Sequence, residues 1–165
     1  MNRLEFLIDR LNAARQWTRD LVHDLGEAEW FHMPVPGVGH AVWQVGHVAS
    51  SQIVLVHMRC LGLSYTDLAP ETFRDAFGRG SKPSNDRSIY PRVADLVETF
   101  ERIHADAIRR VGELTEADLA QPALGDPHPL FKTREGAVAT AALHEVFHAG
   151  QIAVIRRALG RVPLR

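Results

Sequence analysis

His144 and His148 stand four residues apart in the string His144-Glu145-Val146-Phe147-His148. Four residues advance an α-helix by about 400°, so the two imidazoles lie about 40° apart on one face, one turn along. That spacing lets both rings bind a single ion. Gln151 falls about 20° from His144 by the same geometry, in place to donate to a ligand, a substrate or bound water. Glu145 lies about 100° round from His144, where it serves the site as a base or a hydrogen-bond partner, or else faces solvent.

The same string matches the His-Glu-x-x-His pattern of zinc peptidases, in which the Glu is the general base. Those enzymes take a further ligand downstream, whereas residues 149–165 contain no His, Asp or Glu. A third ligand must therefore come from upstream, which makes the metallohydrolase reading the lesser one. The upstream candidate is His47, in Trp43-Gln44-Val45-Gly46-His47. It sits midway along an otherwise apolar segment, where the nitrogens of an unpaired His would be costly to bury. Gly46 is a poor helix former and allows another backbone or a ligand to come close. Three neutral imidazoles leave an open position for water or substrate, the pattern of a catalytic rather than a structural zinc site.

Other residues of suitable type have simpler readings. His104 lies on an apolar stripe and is expected to be a buried His bonded to a neighbour. His40 stands at a helix start as a cap. His57 is about 80° off the His47 face. Cys60 reads as a small buried hydrophobe. Trp17, Trp30 and Trp43 read as core or rim packing, and His128 sits among prolines in a connection.

Four amphipathic or apolar segments must position these side chains. Leu4, Leu7, Ile8, Leu11, Ala14, Thr18, Leu21, Val22 and Leu25 predict a helix over residues 3–25, with Gly26 as its stop. The second, over 40–62, is apolar on nearly all sides, as expected of a central helix or one facing a dimer mate. The stretch 63–89 lacks sustained periodicity and reads as a long connection with a short helix near residues 70–77. A third helix is expected over 91–113 with Pro91 in its first turn. A second long connection, 115–132, follows. The fourth helix, 134–159, is capped by Thr133, followed by Gly160 at C′, and carries Arg156 and Arg157 in its last turn. The fold expected is all-α: a four-helix bundle with long connections between helices 2–3 and 3–4, forming one domain over residues 1–165.

The chain has 165 residues, 45% of them hydrophobic and 24% charged, which suits one soluble globular domain with a real core. A net charge of −1 offers no electrostatic footprint for nucleic acid. Nearly all cationic residues are Arg; only Lys82 and Lys132 are Lys. With Cys60 the only cysteine, no intrachain disulfide forms, which fits a reducing cytosol. The N-terminal residues lack the uninterrupted apolar core of a signal peptide, and no run approaches the roughly 20 apolar residues of a membrane span.

Two stretches carry a family resemblance. Trp43-Gln44-Val45-Gly46-His47-Val48-Ala49 is similar to the helix-2 pattern of the DinB/YfiT-like metalloenzyme family, which is unrelated to the DNA polymerase of similar name. His144-Glu145-Val146-Phe147-His148-Ala149-Gly150-Gln151-Ile152 resembles that family's His-x-x-x-His-x-Gly-Gln signature. Position 149 is Ala where many members have Arg. The resemblance spans nearly the whole chain. It implies that His47, His144 and His148 bind a divalent metal, most often zinc or nickel. It also implies a metal-dependent S-transferase of low-molecular-weight thiols such as mycothiol or bacillithiol, or a related hydrolase-like enzyme, acting on small molecules; at such a site Glu145 and Gln151 are the residues expected to orient substrate or water. A cytoplasmic protein without nucleic-acid or membrane partners, able to form a homodimer, is the accompanying expectation. The alternative from another class is a metal-binding stress or ligand-binding protein without turnover.

Overall fold

The computed structural model describes residues 2–35 and 37–164. Asn2 opens helix α1 (Arg3–Val22) with a reciprocal cap: its side chain accepts from the Glu5 amide at 2.8 Å, and the Glu5 carboxylate accepts from the Asn2 amide at 3.0 Å. Helix α2 (Ala41–Gln52) starts on His40, whose Nδ1 accepts from the Trp43 amide at 3.0 Å, the capping role expected of it. The remaining helices are α3 (Glu71–Phe77), α4 (Val93–Gly112), α5 (Glu116–Leu119) and α6 (Arg134–Ala158). Thr133 caps α6 by accepting from the Gly136 amide at 3.1 Å, and Gly160 ends its run with φ of +75°.

The architecture is all-helical, with no strand among the described residues. The four long helices close a ring of contacts: α1 packs on α6 and α4, and α2 packs on the same two. Around α2, Val42, Val45, Val48 and Ile53 meet Leu96, Phe100 and Ile103 of α4 and Ile152 and Ile155 of α6. Val and Ile lose up to about 0.7 kcal/mol each in helix propensity. Burial returns about 1.5–3 kcal/mol for each such side chain, so packing decides that this segment is helical.

Three boundaries differ from the sequence expectation. α1 ends at Val22, with His23 as its cap, before the expected stop at Gly26. Pro91 precedes α4 rather than lying within its first turn, since Arg92 is the cap. Helix 2 is regular only to Gln52 and continues as a wider π-helical turn over Ile53–Met58, marked by the Arg59 amide bonding to the Val54 carbonyl at 3.0 Å.

The apolar second face of α2 is covered by α3, from the connection after helix 2, so it is not a free face for a dimer mate. The connection before α6 is tied at both ends, by Ala123 N to Lys132 O at 2.9 Å and Arg134 N to Gln121 O at 3.0 Å. By length and composition α6 is apolar enough to cross a membrane, contrary to the expectation that no segment is. Much of it instead faces the other helices, with Ala137, Val138, Ile152 and Ile155 fully buried.

Candidate metal centre

The packing of α2 on α6 brings His47, His144 and His148 together, with one ligand nitrogen from each lying within 4.8 Å of the others. The Nε2 atoms of His144 and His148 are 3.2 Å apart. The ring centroid of His47 is 5.1 Å from that of His144 and 4.8 Å from that of His148.

Two of the three rings are held from behind. His47 Nδ1 lies 2.7 Å from the Phe77 carbonyl oxygen, which can only accept, so Nδ1 carries the hydrogen and Nε2 keeps its lone pair. This contact depends on Gly46: a Cβ built there would stand 2.2 Å from the Phe77 ring. The glycine therefore admits α3, as the expectation of close approach at this position required. His148 Nδ1 lies 2.5 Å from Gln44 Oε1. The amide nitrogen of Gln44 faces the Gly39 carbonyl at 3.5 Å, which orients the oxygen toward His148 and again leaves Nε2 with the lone pair. Trp43 lies flat against His47 and donates from Nε1 to Ser81 Oγ at 3.1 Å.

Burial lowers the pKa of all three imidazoles. His47 is lowered by burial against the opposing pull of the Phe77 carbonyl. His144 falls to about 4, through burial and then the neighbouring His47. His148 falls to about 3, through burial and then His144 and His47. All three are neutral near pH 7, the form that binds a metal. The donor set fits the ion that the resemblance implies. Three neutral imidazoles suit zinc, nickel, copper or iron. The 3.2 Å between the two α6 nitrogens is close to the roughly 3.3 Å edge of a tetrahedron with Zn–N bonds of about 2.0 Å.

Glu145 is placed elsewhere than a substrate-facing position. Its carboxylate is 2% exposed and turned to α1, where Oε1 is 3.0 Å from Arg15 Nε and Oε2 accepts from Arg15 Nη2 at 3.2 Å. The 100° offset from His144 points it at this fully buried guanidinium, so the carboxylate is committed to a structural ion pair. The peptidase reading of His-Glu-x-x-His loses its general base with it. Gln151 lies within α6, half-buried, three residues beyond His148.

Outside the cluster, His104 is buried between Gln52 and Asn12, bonded to a neighbour as expected. His57 is fully buried with Nε2 3.2 Å from Asp106 Oδ2. Cys60 is buried, and burial pushes its thiol up to about 11, the behaviour of a hydrophobe rather than a nucleophile. His128 stacks on Phe131 in the last connection and has no place in the cluster. A groove of about 330 Å³ between α1, α6 and the C-terminal residues is lined by Trp17, Leu21, Val146 and Ala153 among others, and by none of the three histidines.

Sequence reasoning gave no role to Gln44 or Arg15 and read Trp43 only as core or rim packing. Gln44 left a signal, a polar residue one turn before His47 in an apolar run. Arg15 left another, since it stands among Leu11, Ala14 and Thr18 on the buried face of α1. The Phe77 carbonyl left none, because a backbone acceptor carries no residue type.

Three neutral imidazoles drawn from two packed helices of an all-helical chain define a protein with a histidine cluster of metal-ligand geometry. The chain belongs to the DinB superfamily, whose family model matches residues 10–152, a span that contains all three histidines. Among solved structures it is similar to a conserved protein from Enterococcus faecalis. The two are 16% identical, the TM-score is 0.78, and the match covers 98% of this chain and 99% of that one. At that identity the likeness shows the fold. No curated protein matches the chain.

Proposed function

We propose that this protein is a metal-dependent enzyme of the thiol S-transferase type, built on a DinB-like four-helix bundle, with His47, His144 and His148 holding a divalent ion such as zinc or nickel. The observation that carries the reading is the convergence of three neutral imidazoles within 4.8 Å. A bound divalent ion would supply Lewis acidity that favours a thiolate over a thiol at neutral pH. The chain's own residues do the rest. Phe77 and Gln44 hold His47 and His148 in the donor tautomer, Trp43 walls one side, and Gln151 presents an amide to substrate. In the transfer, sulfur bonds to an electrophilic carbon of a small molecule as the leaving group departs with its electron pair, and the thiol proton passes to solvent. Glu145 acts here as a positioning residue that fixes the rotation of α6 through Arg15.

The thiol cosubstrate and the transfer reaction come from the family resemblance; the histidine cluster supports the metal. The protein is proposed to work in the cytoplasm, without nucleic acid or membrane. A homodimer would use α6, where Leu143 and Phe147 are 71% and 68% exposed, rather than α2.

The test uses full-length protein purified without a histidine tag. Elemental analysis should find close to one divalent ion per chain, and single His47→Ala, His144→Ala and His148→Ala variants should lose it. A panel of low-molecular-weight thiols and electrophiles should then show turnover that depends on the ion. Tight metal binding with no turnover across the panel would favour the non-catalytic binder, and absence of metal together with no zinc-induced rise in melting temperature would sink both readings.

A further inference from the structure

The groups that hold the candidate ligands from behind are uncharged. A backbone carbonyl serves His47 and a carboxamide serves His148. Metal-bound histidines are often backed instead by a carboxylate, which raises ligand basicity and offsets the charge of the ion. Gln44 occupies that place here. It is 3% exposed, one turn before His47, with its nitrogen turned to the Gly39 carbonyl and its oxygen on His148. His144 has His148 Nε2 as its ring partner at 3.2 Å and no carboxylate.

No acidic side chain belongs to the cluster among the described residues. Glu145, adjacent in sequence, is held by Arg15.

Resting on the metal reading above, we propose that Gln44 is a positioning residue that sets both the donor tautomer of His148 and the charge of the centre, so that the centre selects an anionic over a neutral exogenous ligand. A divalent ion among three neutral imidazoles would keep its full double charge in a partly buried setting, where charge interactions are less screened than in water. An incoming anion such as a thiolate is attracted by all of it. A carboxylate at position 44 would strengthen His148 as a donor and cancel part of that attraction. The two properties therefore move in opposite directions when Gln44 becomes Glu, which a change in packing alone would not produce.

The experiment loads untagged full-length protein with Co(II), follows metal affinity by visible absorption, and titrates azide into the loaded form. Gln44→Glu should tighten Co(II) and weaken azide, each by about tenfold, within the range seen for partners of metal ligands. Gln44→Met, which keeps the volume and loses the acceptor, should weaken Co(II) by about tenfold or more. In metal-free wild type, nitrogen NMR should show His148 protonated on Nδ1 and bare on Nε2, a readout that needs no variant to fold. The inference is overturned if Gln44→Glu moves both affinities the same way or neither, or if His148 carries its hydrogen on Nε2. Wild type that takes up Co(II) and loses it on His144→Ala, yet is indifferent to residue 44, defeats this inference alone. Wild type that takes up no Co(II) defeats the metal reading and this one with it.

Discussion

The indole of Trp43 lies face to face with the imidazole of His47, ring centroids 4.7 Å apart and planes 8° from parallel. The hydrogen bond from its Nε1 to Ser81 Oγ, at 3.1 Å, fixes the indole in that pose. An ion on His47 therefore sits one ring away from a fluorophore. Addition of Co(II) or Ni(II) should quench part of the tryptophan emission of wild type. Trp43→Phe should keep metal binding while losing most of that quenching, since Trp17 and Trp30 are not stacked on the cluster. Unchanged quenching in Trp43→Phe, measured by steady-state fluorescence, would contradict this geometry.

Glu145 should matter to stability more than to chemistry. Arg15 is fully buried beneath it, bonded also to Gln52 Oε1 and the Phe100 carbonyl, both at 2.8 Å, with its guanidinium over the Phe100 ring. Removing one partner of a buried pair leaves an uncompensated charge and costs about 3–5 kcal/mol. Glu145→Ala should lower the unfolding free energy by that order in urea denaturation. The double variant Arg15→Met, Glu145→Leu should recover most of the loss. A general base at Glu145 would instead show as lost turnover with stability intact.

Gly46→Ala should damage fold and site together. The added Cβ would stand 2.2 Å from the Phe77 ring, so α3 must move. Overpacking of this kind costs about 1–3 kcal/mol. Because the Phe77 carbonyl holds His47 Nδ1, metal affinity should fall as well. Thermal melting and metal titration read the two effects separately.

His104 should make the metal-free protein sensitive to acid. Gln52 gives its oxygen to Arg15 and its amide nitrogen to His104 Nδ1, and His104 Nε2 then donates to Asn12 Oδ1. That chain requires the neutral ring. Burial first, and then Arg15 and Arg19, lower its pKa to about 3. Between the ordinary His value of about 6.5 and that folded value, the unfolded chain holds a proton that the folded chain does not. Stability contributed by this residue is therefore present above pH 6.5 and is lost as pH falls, by up to about 1.4 kcal/mol per pH unit. Denaturation midpoints across pH 7 to 4 should show this slope, and His104→Gln should flatten it by about one proton's worth.

The all-helical class, the placement of the four long helices and the three histidines were readable because each is a local or periodic property. An i, i+4 His pair shares a helix face whatever surrounds it, and a polar ring in an apolar helix needs a partner somewhere. Caps at His40 and Thr133 were readable for the same reason, since a cap bonds to amides two or three residues away. The π-helical turn at Ile53–Met58 was not readable, because its composition is that of an ordinary apolar helix and only packing on α4 and α6 distinguishes it. Glu145 was readable only as an angle, and an angle does not say which helix stands opposite.

The sequence alone determined that His47, His144 and His148 were available as ligands and that nothing after His148 competed with them, because residue type and helical spacing are properties of the chain itself. Only the tertiary structure decided which nitrogen of two of those rings faces the common centre and where the acid beside them is spent. Those outcomes depend on Phe77 from α3, Gln44 from α2 and Arg15 from α1, contacts between residues 30 to 130 positions apart. No periodicity encodes contacts at that range; they exist once the helices pack.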